Sequence, residues 1–353
     1  MNIPKDKKLL LICSPFFGYF QQIINEISTL GFEVDYYNDR PSENSFVKGI
    51  IKIKPKLISR IAKSYFNKIV SETSKIQYDI ILIINGKILN EDFILNLRSK
   101  QKKAYFIFYT WDAIRLYPLT IELLKHFDIC FSFDRVDCLK IEGLHHLPLF
   151  YSNAYKTIGN SKNDIAYKNR TLDILSICTT HPNRYQILIR MLPYLRGQGI
   201  IVYSYMFIEP FQYIYNKFYV KDFQRAKMKE FSIRSLSEAQ NIRLLTQTRT
   251  VLDIPHSSQT GLTIRTLEAL GSKRKLITYN EEIKFYDFYN ENNILIINDN
   301  HWDKIVPFLK KEFVDIDEII YKKYSISSWV AQLLNSWSEI SRVNSSKVIK
   351  EGE

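Results

Sequence analysis

Residues 257–280 read SSQTGLTIRTLEALGSKRKLITYN. A turn containing Gly261 opens a run whose apolar positions, Leu262, Ile264, Leu267 and Leu270, fall at helical spacing, and Gly271 ends that helix ahead of a short strand, KLIT. Arg265 and Glu268 place charge on a helix otherwise patterned for burial. The step from loop to helix presents backbone N–H groups to an anion, and a carboxylate further along accepts hydrogen bonds from hydroxyls. Phosphate and sugar together suit such an element.

Outward from this stretch the same alternation recurs. Upstream lie the strand TVLDIP (250–255) and a helix, SLSEAQNIRLLTQT (235–248), with Ser235 and Glu238 spaced as a capping box. Before them come TLDILSICTT (171–180), the loop and helix HPNRYQILIRMLPYLRGQG, and IIVYSYMF (200–207), another βαβ pattern. Downstream follow NILIIND, a helix over 301–311, and an amphipathic helix over 327–343 carrying Trp329 and Trp337.

The first half behaves alike. KLLLIC (8–13), FEVDYY (32–37), YDIILIIN (78–85), AYFIFYTWD (104–112) and DICFSFD (128–134) are apolar runs of the kind buried in a parallel sheet, joined by helical stretches near 20–30, 90–99 and 116–126. The expected fold is α/β: two Rossmann-like, doubly wound domains facing across a cleft, over 1–152 and 171–326, with a polar linker at 153–170 and a helix and tail at 327–353. Ligands of such sheets lie beyond the carboxyl ends of the strands. Asp39, Asn85, Asp112 and Asp134 stand at those ends, although a strand-end Asp also serves as a turn former or helix cap.

A chain of 353 residues exceeds the usual single core, and 46% hydrophobic residues suffice for two. The net charge of +12 implies an anionic partner. Seven basic side chains fall between 48 and 68 without an acid, and after Pro55 the apolar residues keep helical period. This is either a solvated outer helix or an arm for an anionic leaflet. Residues 209–230, aromatic and basic, fit an insertion at the cleft or membrane side, or a helix pair. Such interleaving also suits single-stranded nucleic acid, but no RNA or DNA module accompanies it, and nucleic acid is not expected as a partner. Four scattered cysteines make no CxxC pair, so neither disulfides nor a zinc site is expected, and a reducing cytosol fits. The N-terminal apolar run breaks at Ser14-Pro15 and reads as a first strand rather than a signal peptide; no run is long enough to span a bilayer.

The run from TVLDIP through QTGLTIRTLEALGSKRKLIT resembles the donor-binding segment of GT-B glycosyltransferases. Together with YTWDAI, CFSFDRVD and VDYYNDRPS it resembles proteins of bacterial lipopolysaccharide and capsule clusters, akin to CgeB-like transferases. That resemblance implies a metal-independent transferase without a cofactor, using a nucleotide-sugar donor and a lipid-linked or glycan acceptor at the cytoplasmic face of a membrane. It implies that Glu268 receives the ribose hydroxyls and that Thr260, Gly261 and Leu262 hold the diphosphate. Retaining relatives often carry a second Glu where this chain has Thr260. Arg265 either meets diphosphate or pairs with Glu268. Arg184, in the first loop of the second domain, is a second phosphate candidate, with His181 and His256 in the two loops expected to converge there. An inverting reaction needs a base from the first domain, either Asp39 or Asp112, with Asp39 preferred and Asp112 orienting the acceptor. Two other readings compete: a nucleotide-sugar epimerase of the same architecture, and a non-catalytic protein binding an anionic surface or nucleic acid.

Overall fold

The computed structural model describes residues 6–15, 18–42, 59–86, 88–161 and 165–351. The chain divides into two compact units, Met1–Pro148 with Ile326–Glu353, and Leu149–Ser325.

The first unit is a parallel sheet of β1 (Lys7–Ile12), β2 (Phe32–Tyr37), β3 (Ile80–Ile84), β4 (Tyr105–Thr110), β5 (Ile129–Ser132) and β6 (Leu144–His146), in spatial order β2-β1-β3-β4-β5-β6. β3, IILII, is buried at every position, as a central strand covered on both faces must be. Alternate residues divide between the faces. Leu10, Ile12, Ile81, Ile83, Phe106 and Phe108 share a core with Phe66 of the helix Ser59–Thr73 and Phe93 of the helix Glu91–Lys100. The long helix Ile326–Glu351 packs against the helix Tyr19–Thr29, with Trp329 edge-on to Tyr109 at 4.9 Å and Trp337 against Phe32 at 5.4 Å. The amphipathic helix expected over 327–343 thus lies within this unit, where its two tryptophans find a buried face.

The second unit is a parallel sheet of β7 (Leu172–Thr179), β8 (Val202–Phe207), β9 (Thr248–Asp253), β10 (Lys275–Thr278) and β11 (Ile294–Ile296), ordered β11-β10-β9-β7-β8. Both sheets belong to Rossmann-like α/β domains, as the sequence pattern predicts.

Several local expectations change. Residues 153–170, expected as a linker, include a helix, Asn153–Gly159, whose Tyr155 and Ile158 are buried. The helix expected from Ser235 starts later: Ser237 is the cap, exchanging hydrogen bonds with Gln240 in place of the Ser235–Glu238 box. The helix expected over 116–126 shortens to Thr120–Leu124. Of the basic segment 48–68, residues 48–58 lie outside the described residues. Arg60, Lys63 and Lys68 are exposed on Ser59–Thr73 while Ala62, Phe66, Ile69 and Val70 are buried, the amphipathic division its spacing predicts. Among the described residues no helix is long and apolar enough to cross a membrane.

Candidate functional site

In the second sheet, successive strands run outward to β8 on one side of β7 and through β9, β10 and β11 on the other. The order therefore reverses between β7 and β9. Loops leaving two adjacent strands in opposite directions open a crevice at that point, where doubly wound sheets receive their ligands. The two loops are 180–181 and 254–263, each feeding a helix, Pro182–Gly197 and Ile264–Gly271.

Arg184 spans this reversal. Its Nε donates to the Ile254 carbonyl at 2.5 Å and its Nη1 to the Thr179 carbonyl at 2.9 Å, so one guanidinium joins the ends of both strands. The rings of His181 and His256 meet edge to face with centroids 4.6 Å apart. The Ser258 N–H donates to His256 Nδ1 at 3.1 Å, which assigns the proton of a neutral ring to Nε2. Burial pushes the Cys178 thiol, on β7, up to about 11, with Arg184 and Arg265 opposing the shift and Asp253 adding to it. Arg184, Arg265 and Asp253 are therefore all within electrostatic reach of Cys178.

The entry to Ile264–Gly271 is built from hydroxyls. Thr263 caps the helix, accepting from the Thr266 N–H at 3.3 Å and donating to Asp253 Oδ2 at 2.6 Å. Thr266 Oγ1 donates to the same carboxylate oxygen at 3.0 Å. Across the loop, the Asn280 amide donates to the carbonyls of Thr260 and Gly261 at 2.9 and 3.2 Å. With both its carbonyls engaged from one side, the turn at 260–261 has a defined conformation.

Glu268 is 3% exposed and pairs with Arg265 at 2.5 Å. Arg265 Nη1 also donates to Asn241 Oδ1 at 3.1 Å, and Asn241 Nδ2 to the Tyr155 hydroxyl at 2.7 Å. That hydroxyl is hydrogen-bonded to Glu268; burial first, then the Glu268 charge, hold it well above its ordinary titration range. Four side chains from three helices thus form one network. The helix bearing it sits close to its neighbours: a Cβ at Gly271 would lie 2.5 Å from the Tyr151 ring, and one at Gly159 would lie 2.3 Å from the Gly271 carbonyl oxygen.

In the first unit Asp39 follows β2, 1% exposed and paired with Arg40 Nε at 2.8 Å. Asp112 follows β4 and accepts from Asn85 Nδ2 at 2.7 Å, while Asn85 Oδ1 accepts from the Trp111 N–H at 3.0 Å. Two strands, β1 and β3, separate β2 from β4, which sets these two strand axes about 14 Å apart at the usual strand spacing. Asp134 accepts from the Val136 N–H and caps the helix Arg135–Lys140, the role a strand-end Asp commonly takes.

Sequence reading gathers His181, Arg184, His256, Thr260, Gly261, Leu262, Arg265 and Glu268 into this one unit and misses the residues that hold them. Asp253 was readable as a strand-end carboxylate ten residues before Thr263. Asn280 and Tyr155 have no sequence signal, since their partners are backbone carbonyls or residues over 80 positions away. Among the described residues no group of three or more His, Cys, Asp or Glu is placed to hold a metal ion.

The fold defined by these two sheets is that of the GT-B class. The chain is similar to α,α-trehalose 6-phosphate synthase from Burkholderia multivorans, with a TM-score of 0.59 and 12% identity over 97% of this chain and 98% of the synthase. It is similar to HepE of Anabaena, solved in complex with UDP and glucose, at TM-score 0.55 and 11% identity over 96% of this chain and all of HepE. A UDP-N-acetylglucosamine 2-epimerase from Rickettsia bellii matches at TM-score 0.51 and 10% identity, covering 96% of this chain and 98% of the epimerase. At such identities the likeness is one of fold. No protein-family model matches the chain, and no curated protein is similar to it in sequence.

Proposed function

We propose that this protein is a metal-independent glycosyltransferase that moves a sugar from a nucleotide-sugar donor to a lipid-linked, lipopolysaccharide or capsule glycan acceptor at the inner face of the cytoplasmic membrane. The observation that carries the reading is the β7/β9 reversal, where Arg184, His181, His256 and the loop leading into Ile264–Gly271 converge, with Glu268 buried on that helix.

In this reading the N–H groups of Thr260, Gly261 and Leu262 hold the diphosphate, helped by Arg184 and the two histidines. Their fixed positive potential offsets the charge that develops on the leaving nucleotide. Glu268 accepts the ribose hydroxyls, its position set by Arg265 and Tyr155. The bond from the anomeric carbon to the phosphate oxygen breaks, and a bond to the acceptor oxygen forms. In an inverting reaction the acceptor proton passes to Asp39 as base, with Asp112 orienting the acceptor; a retaining reaction dispenses with that base. The basic segment 48–68 contributes peripheral contact with anionic lipid.

A panel of nucleotide sugars and nucleoside diphosphates tested by thermal shift examines the donor site. A bound donor raises the melting temperature by mass action. No protection by any nucleotide would end this reading. The fold shared with an epimerase favours one alternative, interconversion of the nucleotide sugar itself. Incubation with the protecting nucleotide sugar and no acceptor separates the two: a transferase returns the sugar unaltered, an epimerase returns its epimer.

A further inference from the structure

The helix Pro210–Tyr219, which follows β8, carries Phe211, Ile214, Tyr215, Phe218 and Tyr219 at 61, 54, 46, 72 and 75% exposure. Their spacing of three, one, three and one residues places all five on a single stripe. The opposite face is anchored. Asn216 is buried, Tyr213 packs edge-on against Phe223 and Phe231, and Lys217 Nζ donates to the carbonyls of Gln224 and Ala226. The aromatic stripe is therefore held outward by its own helix and cannot roll into the core. Met228 and Ile233 extend it, 40 and 53% exposed.

The charge around it has one sign. Residues 217–234 hold six Lys or Arg and two acids, Asp222 and Glu230, an excess of four. Lys221, Arg225, Lys227, Lys229 and Arg234 are exposed. Glu230 accepts from the Tyr185 hydroxyl and the Lys227 N–H, and with its charge counted the excess of four stands. Exposed aromatic rings on a short helix, rimmed by cations, match a bilayer interface: rings enter at the headgroup level and the cations meet anionic phosphates.

We propose that the helix Pro210–Tyr219 and the basic turns after it form a membrane-docking surface of the second unit for anionic phospholipid, separate from the basic segment 48–68. It deepens the acceptor part of the proposed function and rests on it for its purpose. Lipid binding is measured without any sugar nucleotide, so the two readings fail separately.

The test is co-sedimentation of the full chain with vesicles of phosphatidylcholine alone or with 30% phosphatidylglycerol, a composition chosen at roughly the anionic content that attracts polybasic segments. The expected result is binding to the anionic vesicles only. Phe218→Ser with Tyr219→Ser abolishes it. Lys221→Gln with Arg225→Gln lowers partition about thirtyfold, each basic side chain near an anionic surface contributing about a factor of five. All four positions are solvent-facing, so circular dichroism and nucleotide protection stay as in the parent. Absence of binding to anionic vesicles overturns the proposal. So does binding that both double variants retain, which would assign it to 48–68. Concentration-dependent dimerisation lost in the variants, or oligonucleotide binding through the same residues without vesicle binding, would equally overturn it.

Discussion

Arg184 Nε lies 2.5 Å from the carbonyl oxygen of Ile254, so a side chain at the start of one helix closes the end of a strand seventy residues later. A guanidinium has five N–H donors, and the two directed at Ile254 and Thr179 leave others for a phosphate. Arg184→Lys supplies charge without the planar fork. It is expected to weaken nucleotide protection at least tenfold and to lower the melting temperature of the unliganded protein, each lost hydrogen bond contributing about 1 kcal/mol. Thermal shift across a nucleotide titration reads both; unchanged protection would remove Arg184 from the donor site.

Glu268→Gln keeps the size of the side chain and removes its charge from Arg265. Donor binding is expected to weaken by about ten- to a hundredfold, because a hydrogen bond to a charged group contributes about 1.5–3 kcal/mol. Both variants take the counter-charge from Arg265 in a mostly buried setting and should destabilise the fold, by about 3 kcal/mol or more for Glu268→Ala, which also loses the hydrogen bond that the Gln amide oxygen retains. Calorimetric titration of the Gln variant separates the two effects. Parent-like nucleotide affinity there would sink the ribose role.

Asn280→Ala tests the loop rather than the ligand contacts. With the carbonyls of Thr260 and Gly261 released, the turn samples more conformations, and its N–H groups converge on a diphosphate less often. Affinity for nucleoside diphosphate should drop about tenfold while affinity for the nucleoside changes little. An equal loss for both would place Asn280 outside diphosphate binding.

Gly271→Ala places a methyl against the Tyr151 ring, while Gly197→Ala meets nothing within 4 Å. The first is expected to cost about 1–3 kcal/mol or more in urea unfolding, as overpacking does. The second, at the last position of its helix, should be nearly neutral. Equal effects would show that the close approach at Gly271 is relieved by easy movement of the ring.

Lys275 is fully buried, its ammonium donating to the carbonyls of Phe308 and Lys311, and burial, then the Lys311 charge, lower it to about 8. The folded state binds this proton less tightly than the unfolded state, whose lysine titrates near 10.5. Stability from this group therefore rises with pH once pH passes about 8, and its penalty is fully present below. Between pH 8 and 9.5 the parent should gain stability relative to Lys275→Met. Parallel profiles from chemical denaturation would contradict the shift.

The fold was legible because its signal is local. Runs such as IILII and LLLI announce central strands, and Gly271 punctuates the helix before β10. The residues of the proposed donor site were legible where they sit in two loops next to recognisable strands, as His181 and His256 do. What escaped depends on distance in sequence. Tyr155 joins the Glu268 network from a stretch too polar to suggest a buried helix, and its partner Asn241 lies 86 residues on. The separation of the strands that Asp39 and Asp112 follow comes from strand order, which a list of strands does not contain.

The second unit begins and ends at one place: the Tyr151 N–H donates to the Tyr324 carbonyl at 2.9 Å, and Tyr151 bridges in parallel with Ser325. A length of chain whose two ends touch is, in assembly terms, a guest within its host. During synthesis it has every strand of its sheet before the helix Ile326–Glu351 emerges, whereas the host must wait for that helix to cover Phe32 and Tyr109. The order of maturation is thus written into the connectivity: the proposed nucleotide-sugar half closes its core first, and the other half completes its own around the helix that follows.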